Sequence, residues 1–551
     1  MLTYTPPSAS TFKTREKPWL LLLMAFAWLW PGVFSHDLWH PNEPTLFTAV
    51  EAAVQSGAYW HADVLGRTDF SVSPVYLWTA ATLVRLFSPW AMDAYAAARL
   101  ASVLFTAVGL FGCGAAGFHF LGRHHGRSVV LALIGCVGLL PMAHFLNGTS
   151  LTFAALSLIL CGFSLAGKKV IAASLLLGGG WVLLSLAEGW LPPLSLMALA
   201  LLLPLHAAWR FKRYWLTLFG AFAVALPLLP LYPFALRLYS SQEFAVWRDA
   251  YLLGIWGGLQ PHNLPAFQTA SLLYYLKNLL WFTFPAWPLA VWSGVRMRIT
   301  AQAWGVLAAA WLALVLLLLS FDPQPVQERL VWLLPPLALL AAAQLDGLRR
   351  GAAAFLNWFG IMTFGLLAAF LWLGFAAANY GWPAKLAERA AYFSPYYLPD
   401  IDTMPMVVAA LFTSLWLLAI TRKNIRGRQA VTNWAAGVTL AWALLMTLLL
   451  PWLDAAKSHA PVVRQMEASL SAELKKEISD GLSCISVAPQ AETARMAWAQ
   501  YGHLPLTLDE HCTYRLVEQP KTAAAPTGWR MIWQGARPRN KTEGFALLEK
   551  L

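Results

Sequence analysis

The sequence predicts an all-α polytopic membrane protein with a small C-terminal α/β domain. Three observations carry that prediction. Hydrophobic residues make up 58% of the 551 and charged residues only 12%, whereas soluble domains carry about a quarter charged residues. Apolar runs of about 16 to 29 residues recur from Trp19 to Leu453, and roughly 20 such residues cross a hydrocarbon core. Basic clusters occupy alternate loops between those runs, the pattern of short cytoplasmic loops. One such run would match a signal peptide, but a dozen do not. The net charge of +12 belongs to those loops, so no nucleic-acid partner is implied.

Thirteen spans are expected, at 19–34, 93–121, 128–146, 149–167, 170–187, 190–209, 214–235, 271–292, 302–320, 329–346, 353–378, 404–421 and 432–453. The basic loops are the N-terminal tail with Lys13, Arg15 and Lys17, GRHHGR at 122–127, Lys168-Lys169, RFKR at 210–213, Arg296 with Arg298, Arg349-Arg350 and RKNIRGR at 422–428. The other loops hold Asp37, Glu43, Asp63, Asp69, Glu188, Glu243, Asp322 and Asp400. This alternation places the N-terminus inside and the C-terminus outside.

Segment 74–88, PVYLWTAATLVRLFS, is apolar but short. Its 15 residues make about 22 Å of helix, less than the ~30 Å core. Counting it as a span also puts every basic loop outside. It is therefore expected as an interfacial helix within one long first outer loop, residues 35–92.

The tail 454–551 changes character. VVRQMEASLSAELKKEI at 462–478 has the spacing of an amphipathic helix. Strands are expected at 484–488, 512–518 and 529–534, with a helix at 491–501. Cys113, Cys136 and Cys161 fall in spans, where they read as packing residues. Cys484 and Cys512 are the only tail cysteines; in an oxidising periplasm a disulfide between them is expected, two buried thiols being the alternative.

Polar chemistry concentrates in the first outer loop, His36-Asp37-Leu38-Trp39-His40-Pro41-Asn42-Glu43-Pro44. Asn42 and Glu43 fit the cap and first turn of a helix over 44–56. Two histidines flanking carboxylates exceed what capping needs, and carboxylate with His serves proton abstraction or metal ligation. Elsewhere on the outer side, Arg237, Arg248 and Lys277 are candidate phosphate partners, or cations snorkelling at the interface. Glu188, in LAEGWLPP, is an acid at a span end, where it needs a partner or a role. His262, in PHNLP, is a lone loop histidine.

Residues 40–88, HPNEPTLFTAVEAAVQSGAYWHADVLGRTDFSVSPVYLWTAATLVRLFS, resemble the first outer loop of bacterial C-type glycosyltransferases, the membrane group that includes aminoarabinose transferases acting on lipid A and protein mannosyltransferases. Pro41-Asn42-Glu43-Pro44, Gly57-Ala58-Tyr59-Trp60, Leu65-Gly66, Phe70 and Pro74-Val75-Tyr76-Leu77-Trp78 carry the match. Residues 98–127, 261–287 and 328–342 (ERLVWLLPPLALLAA) are similar to later family segments, so the resemblance covers roughly 19–350.

The resemblance implies a C-type glycosyltransferase fold and transfer of a sugar from polyprenyl phosphate to a periplasmic acceptor. Among the expected site residues, Glu43 with Asp37 is the acid/base pair. Asn42, Arg237, Arg248, Lys277 and Glu188 contact substrate, and the leaving phosphate is stabilised by cations or by a divalent metal ion with His262 as ligand. Membrane lipids, the donor lipid and a lipid or glycan acceptor are the expected partners.

The sequence departs from the family at several positions. Asn42 stands where the family has Asp, Val72-Ser73 replace Glu-Lys, HFLNGTSLT at 144–152 has no acid, and Glu188 stands where Lys is usual. Two alternatives stay open: a homologue of this fold that binds polyprenyl lipid or assists another transferase without turnover, and, ranked last for want of internal repeats, a transporter.

Overall fold

The computed structural model describes the chain except residues 1–17, 40, 58, 259–264, 400, 422–426, 510, 521–522 and 541–542. Every one of the thirteen expected spans falls on helix. Among the described residues six helices are long and apolar enough to cross a membrane: Ala94–Leu121, Val170–Glu188, Lys212–Tyr239, Arg350–Tyr380, Thr403–Ile420 and Gly427–Leu448. Shorter apolar helices include Trp19–Leu29, Thr149–Leu165, Leu191–Leu205 and Ala303–Leu319. The protein is a multi-pass membrane protein.

Several expected spans are broken. Segment 128–146 is two helices, Arg123–Ile134 and Leu139–His144, and 271–292 is Thr269–Phe282 followed by Ala286–Arg296. The break at 283–285 falls where Pro285 removes an amide donor. Segment 329–346 starts as a 3₁₀ turn, Gln327–Leu333, before the helix Leu334–Ala343. Hydropathy averages over such breaks, which is why a run-length count misses them.

The stretch 35–92, expected as the first outer loop, folds into a ledge. Its helix Asn42–Ser56 leads through a hairpin, β1 (Ala62–Val64) and β2 (Arg67–Asp69), to a second helix, Pro74–Phe87. Leu65 and Gly66 both take positive φ, 57° and 84°, the geometry that lets a two-residue turn match strand twist. The Gly66 amide donates to Asp63 Oδ1 at 2.7 Å. As expected, the Pro74–Phe87 helix is too short to span: its 14 residues reach about 21 Å. The ledge has its own core, in which Leu38, Phe47, Val50, Tyr76 and Leu77 pack on Ala97, Ala101 and Met496.

The tail builds a five-stranded sheet in the order β4-β3-β5-β7-β6, from β3 (Ile485–Val487), β4 (Leu506–Thr507), β5 (Tyr514–Glu518), β6 (Trp529–Gly535) and β7 (Phe545–Lys550). β3 runs parallel to β4 and β5, and β7 is antiparallel to β5 and β6. The expected strands are present; β4 and β7 are additional. The expected helix over 462–478 divides into Ala460–Ser469 and Ala472–Ser479, because Ser471 caps a new start by accepting the Leu474 amide. Cys484 and Cys512 form a disulfide that ties the approach to β3 to that of its parallel neighbour β5. Cys113, Cys136 and Cys161 are free and buried.

The tail sits on the ledge. Its helix Glu492–Tyr501 supplies Gln500, whose Nε2 donates to the Pro44 carbonyl and Thr48 Oγ1, and Tyr501, whose hydroxyl accepts the Leu38 amide at 2.8 Å. Arg495 donates to the Leu65 carbonyl, and Glu492 pairs with Arg67.

Candidate active site

Glu43 lies in the first turn of the Asn42–Ser56 helix, yet it faces the protein interior. It is 3% exposed and paired with Arg99, which is fully buried. Arg99 Nε donates to Oε1 at 2.8 Å and Nη2 to Oε2 at 3.1 Å. The carboxylate also accepts the amides of Trp39 (2.9 Å) and Leu146 (2.8 Å). Burial alone raises a carboxyl's pKa, but the Arg99 guanidinium outweighs it and holds Glu43 below its usual range. Arg99 completes the knot by donating to the carbonyls of His36 and Asp37. Glu43 is therefore a lock between ledge, membrane helix and the 145–149 loop, and it lines no wall of the cleft described next.

Asn42 does not cap its helix. It occupies the first turn, Pro41 stands at the cap position, and no side chain caps the start. Asn42 instead lines a cavity of about 340 Å³ with Asp69, Asn147, Thr149, Glu188, Glu328 and Arg329. The Asn147 wall is rigid: its amide donates to the Tyr76 hydroxyl (3.1 Å), and its Oδ1 accepts the Thr149 amide (2.8 Å). The 144–152 loop thus brings amide and hydroxyl groups to the cleft where the family pattern led to an acid.

A second cavity of about 350 Å³ adjoins the first, with Ser71, Ala187, Glu188 and Arg329 lining both. Phe70, Trp190, Tyr232, Trp247 and Tyr251 bring aromatic rings to its walls, beside the polar groups of Ser185, Glu188, Gln324 and Arg329. Glu188 ends the helix Val170–Glu188 and accepts a hydrogen bond from Thr152 Oγ1 at 2.7 Å. Its corner is held by backbone contact. Gly189 and Gly254 both have positive φ, and a Cβ on Gly254 would lie 1.8 Å from the Glu188 carbonyl oxygen.

Arg329, second in the resemblance segment 328–342, is not among the residues expected from the sequence; a cation at the start of an apolar run was the available signal. It pairs with Asp322, which is fully buried, and donates to the Gln324 carbonyl at 2.7 Å. Tyr275 also donates to Asp322 Oδ2, and the Gln324 amide donates to Oδ1 at 3.0 Å. The arginine is clamped at the junction of the two cavities.

The other candidates do not join this cleft. Asp37 is half-buried behind Arg99, and burial raises its pKa despite Ser458, Arg464 and Arg99 nearby. Arg237 is exposed and stacks over Phe244. Arg248 pairs with its neighbour Asp249 at 2.7 Å. Lys277 is exposed on the Thr269–Phe282 helix. None of Arg237, Arg248 and Lys277 lines either cavity, because each points outward from a helix whose opposite face packs on the protein. His262 lies outside the described residues. Among those residues no three His, Cys, Asp or Glu side chains converge closely enough to hold a metal ion.

The fold is that of C-type glycosyltransferases. ArnT from Cupriavidus metallidurans in its apo state matches with a TM-score of 0.64 at 17% identity, covering 96% of this chain and 97% of that one. The same enzyme bound to undecaprenyl phosphate matches with a TM-score of 0.60 at 15% identity over the same shares. No family model and no curated protein matches the sequence.

Proposed function

We propose that the chain is a membrane glycosyltransferase of the bacterial inner membrane. It moves a sugar from a polyprenyl-phosphate donor to a periplasmic acceptor such as lipid A, another envelope glycan or a protein. The N-terminus lies in the cytoplasm and the tail in the periplasm. The observation that carries this reading is the shared wall of the two cavities, where Glu188 and Arg329 line both and aromatic rings line the second.

In this mechanism Arg329 holds the donor phosphate, since a guanidinium fork matches phosphate oxygens. The aromatic rings on one side of the second cavity pack against the apolar start of the isoprenoid. The acceptor oxygen enters the first cavity beside Asn42 and Asn147 and attacks the anomeric carbon. The bond from that carbon to the phosphate oxygen breaks, a new carbon–oxygen bond forms, and Glu188 takes the acceptor proton. Arg329 neutralises charge on the departing polyprenyl phosphate. The base role moves from Glu43 to Glu188 because a carboxylate already accepting four hydrogen bonds has no room for a proton.

The competing reading, a polyprenyl-lipid-binding homologue without turnover, is favoured by Asn42 and by the neutral 144–152 loop. Mass spectrometry of envelope glycans and lipid A from cells with and without the protein separates the two. Added sugar mass dependent on Glu188 supports transfer. Saturable undecaprenyl-phosphate binding by the purified protein, with no sugar added to any envelope component, supports the alternative.

A further inference from the structure

A third cavity lies within the membrane region, between the helices Pro18–Leu29, Ala94–Leu121 and Arg123–Ile134. Its volume is about 740 Å³, roughly twice either chamber of the cleft, and it shares no lining residue with them. Its walls are Leu22, Phe26, Ala107, Phe111 and neighbouring apolar groups; Leu22, Phe26 and Phe111 are more than half exposed. Among the described residues no side chain fills this groove. At membrane depth an open apolar groove forfeits dispersion contacts until hydrocarbon fills it.

The groove has one charged end. Arg123 and Arg127, four residues apart on one helix face, line it there with His119. Lys168 adds a further cation at that end, its ammonium donating to the His119 carbonyl at 2.6 Å. Among the described residues no carboxylate lines the groove. The Ala94–Leu121 helix carries Arg99 near its start, beside the ledge, and its 28 residues extend about 42 Å. The cationic end therefore lies on the membrane face opposite the ledge and the candidate active site.

An apolar trough ending in clustered cations matches one amphiphile: an acyl chain in the groove with an anionic headgroup on the arginines. We infer that this groove is a binding site for an anionic phospholipid, separate from the donor-lipid cleft, which wedges the N-terminal helix against the Ala94–Leu121 helix. The charge at its mouth selects against a zwitterionic lipid and against a partner helix ending in basic residues.

Native mass spectrometry of the full-length protein in detergent, titrated with dioleoylphosphatidylglycerol, dioleoylphosphatidylcholine or undecaprenyl phosphate, tests this. The expected result is one saturable phosphatidylglycerol per chain, bound at least ten-fold more tightly than phosphatidylcholine and undiminished by excess undecaprenyl phosphate. Arg123→Glu, at an exposed position, is expected to abolish that preference while the protein keeps its native elution volume. Ala107→Trp, which fills the groove, is expected to lower phosphatidylglycerol occupancy with Arg123 intact. Equal binding of the two phospholipids, displacement by undecaprenyl phosphate, or retention of phosphatidylglycerol preference by Arg123→Glu overturns the assignment.

Discussion

Arg99 and Glu43, 56 positions apart, form a buried bidentate pair in which Arg99 Nε lies 2.8 Å from Glu43 Oε1. A lone arginine in a membrane helix is costly unless a partner reaches it. Here the partner comes from the ledge, and the pair fastens the ledge to the helix beneath it. The same carboxylate holds the Leu146 amide and so positions the loop that forms one wall of the cleft.

Glu43→Gln is expected to damage folding before chemistry. Removing one partner of a buried pair costs roughly 3–5 kcal/mol, because the other charge is stranded. Thermal unfolding in detergent should therefore show a large destabilisation. The double variant Glu43→Gln/Arg99→Leu should recover part of it. A Glu43→Gln protein that is fully stable yet inactive would point instead to direct catalysis by Glu43.

Glu188→Gln should leave yield and thermal stability near wild type and lower sugar transfer about 10²- to 10⁴-fold, the usual contribution of a general base. Single-turnover transfer in proteoliposomes measures this. Undiminished transfer removes Glu188 from the mechanism.

Asp322 grips Arg329 from behind, with Tyr275 on the same carboxylate oxygen. A hydrogen bond to a charged group contributes about 1.5–3 kcal/mol. Asp322→Asn is accordingly expected to raise KM for the polyprenyl-phosphate donor by roughly ten-fold or more, with a smaller change for the acceptor. Equal effects on both substrates would mean a general loss of structure.

The tail's seating on the ledge should depend on pH. Asp454 accepts the Trp39 indole N–H at 2.7 Å, and burial, then the charge of Asp37, push its carboxyl up to about 7; in the neutral form it sits beside Asp37 without repulsion. A folded-state pKa raised from 3.8 means the stabilisation is complete below that value and is lost as pH rises through about 7. His36, lowered to about 4 by burial and then by Arg99, acts at lower pH and does not interfere above 6.5. Hydrogen exchange in the Glu492–Tyr501 helix should therefore quicken between pH 6.5 and 8. Asp454→Asn should flatten that rise.

Reducing the Cys484–Cys512 bond should destabilise the tail by about 3–4 kcal/mol, the loop-entropy expectation for a closed loop of this size, here with a separation of 28 residues. Proteolysis of the tail with and without reductant reads this out; equal rates would show that the bond adds nothing.

Much of the architecture was legible along the chain. Long apolar runs, alternate basic loops and the short 74–88 segment were enough for a multi-pass bundle and a ledge beside it, because membrane insertion responds to local hydropathy and charge. The strands that follow the two tail cysteines could be read from their apolar, β-branched runs. β4, only two residues long, could not, since two residues carry no periodicity.

The cleft was not legible in the same way. Glu43 and Asn42 are adjacent in sequence, yet the helix turns one inward to Arg99 and the other toward the cavity; residues next to each other on a helix point about 100° apart. Arg329, gripped by Asp322 and Tyr275, reaches Glu188 only because broken helices bring three distant segments to one corner. Composition and hydropathy determined that the chain would enter a membrane and present polar groups on a ledge. Which carboxylate became a structural lock and which was left facing a cavity was decided by packing, since only the folded chain brings a buried arginine within reach of one of them.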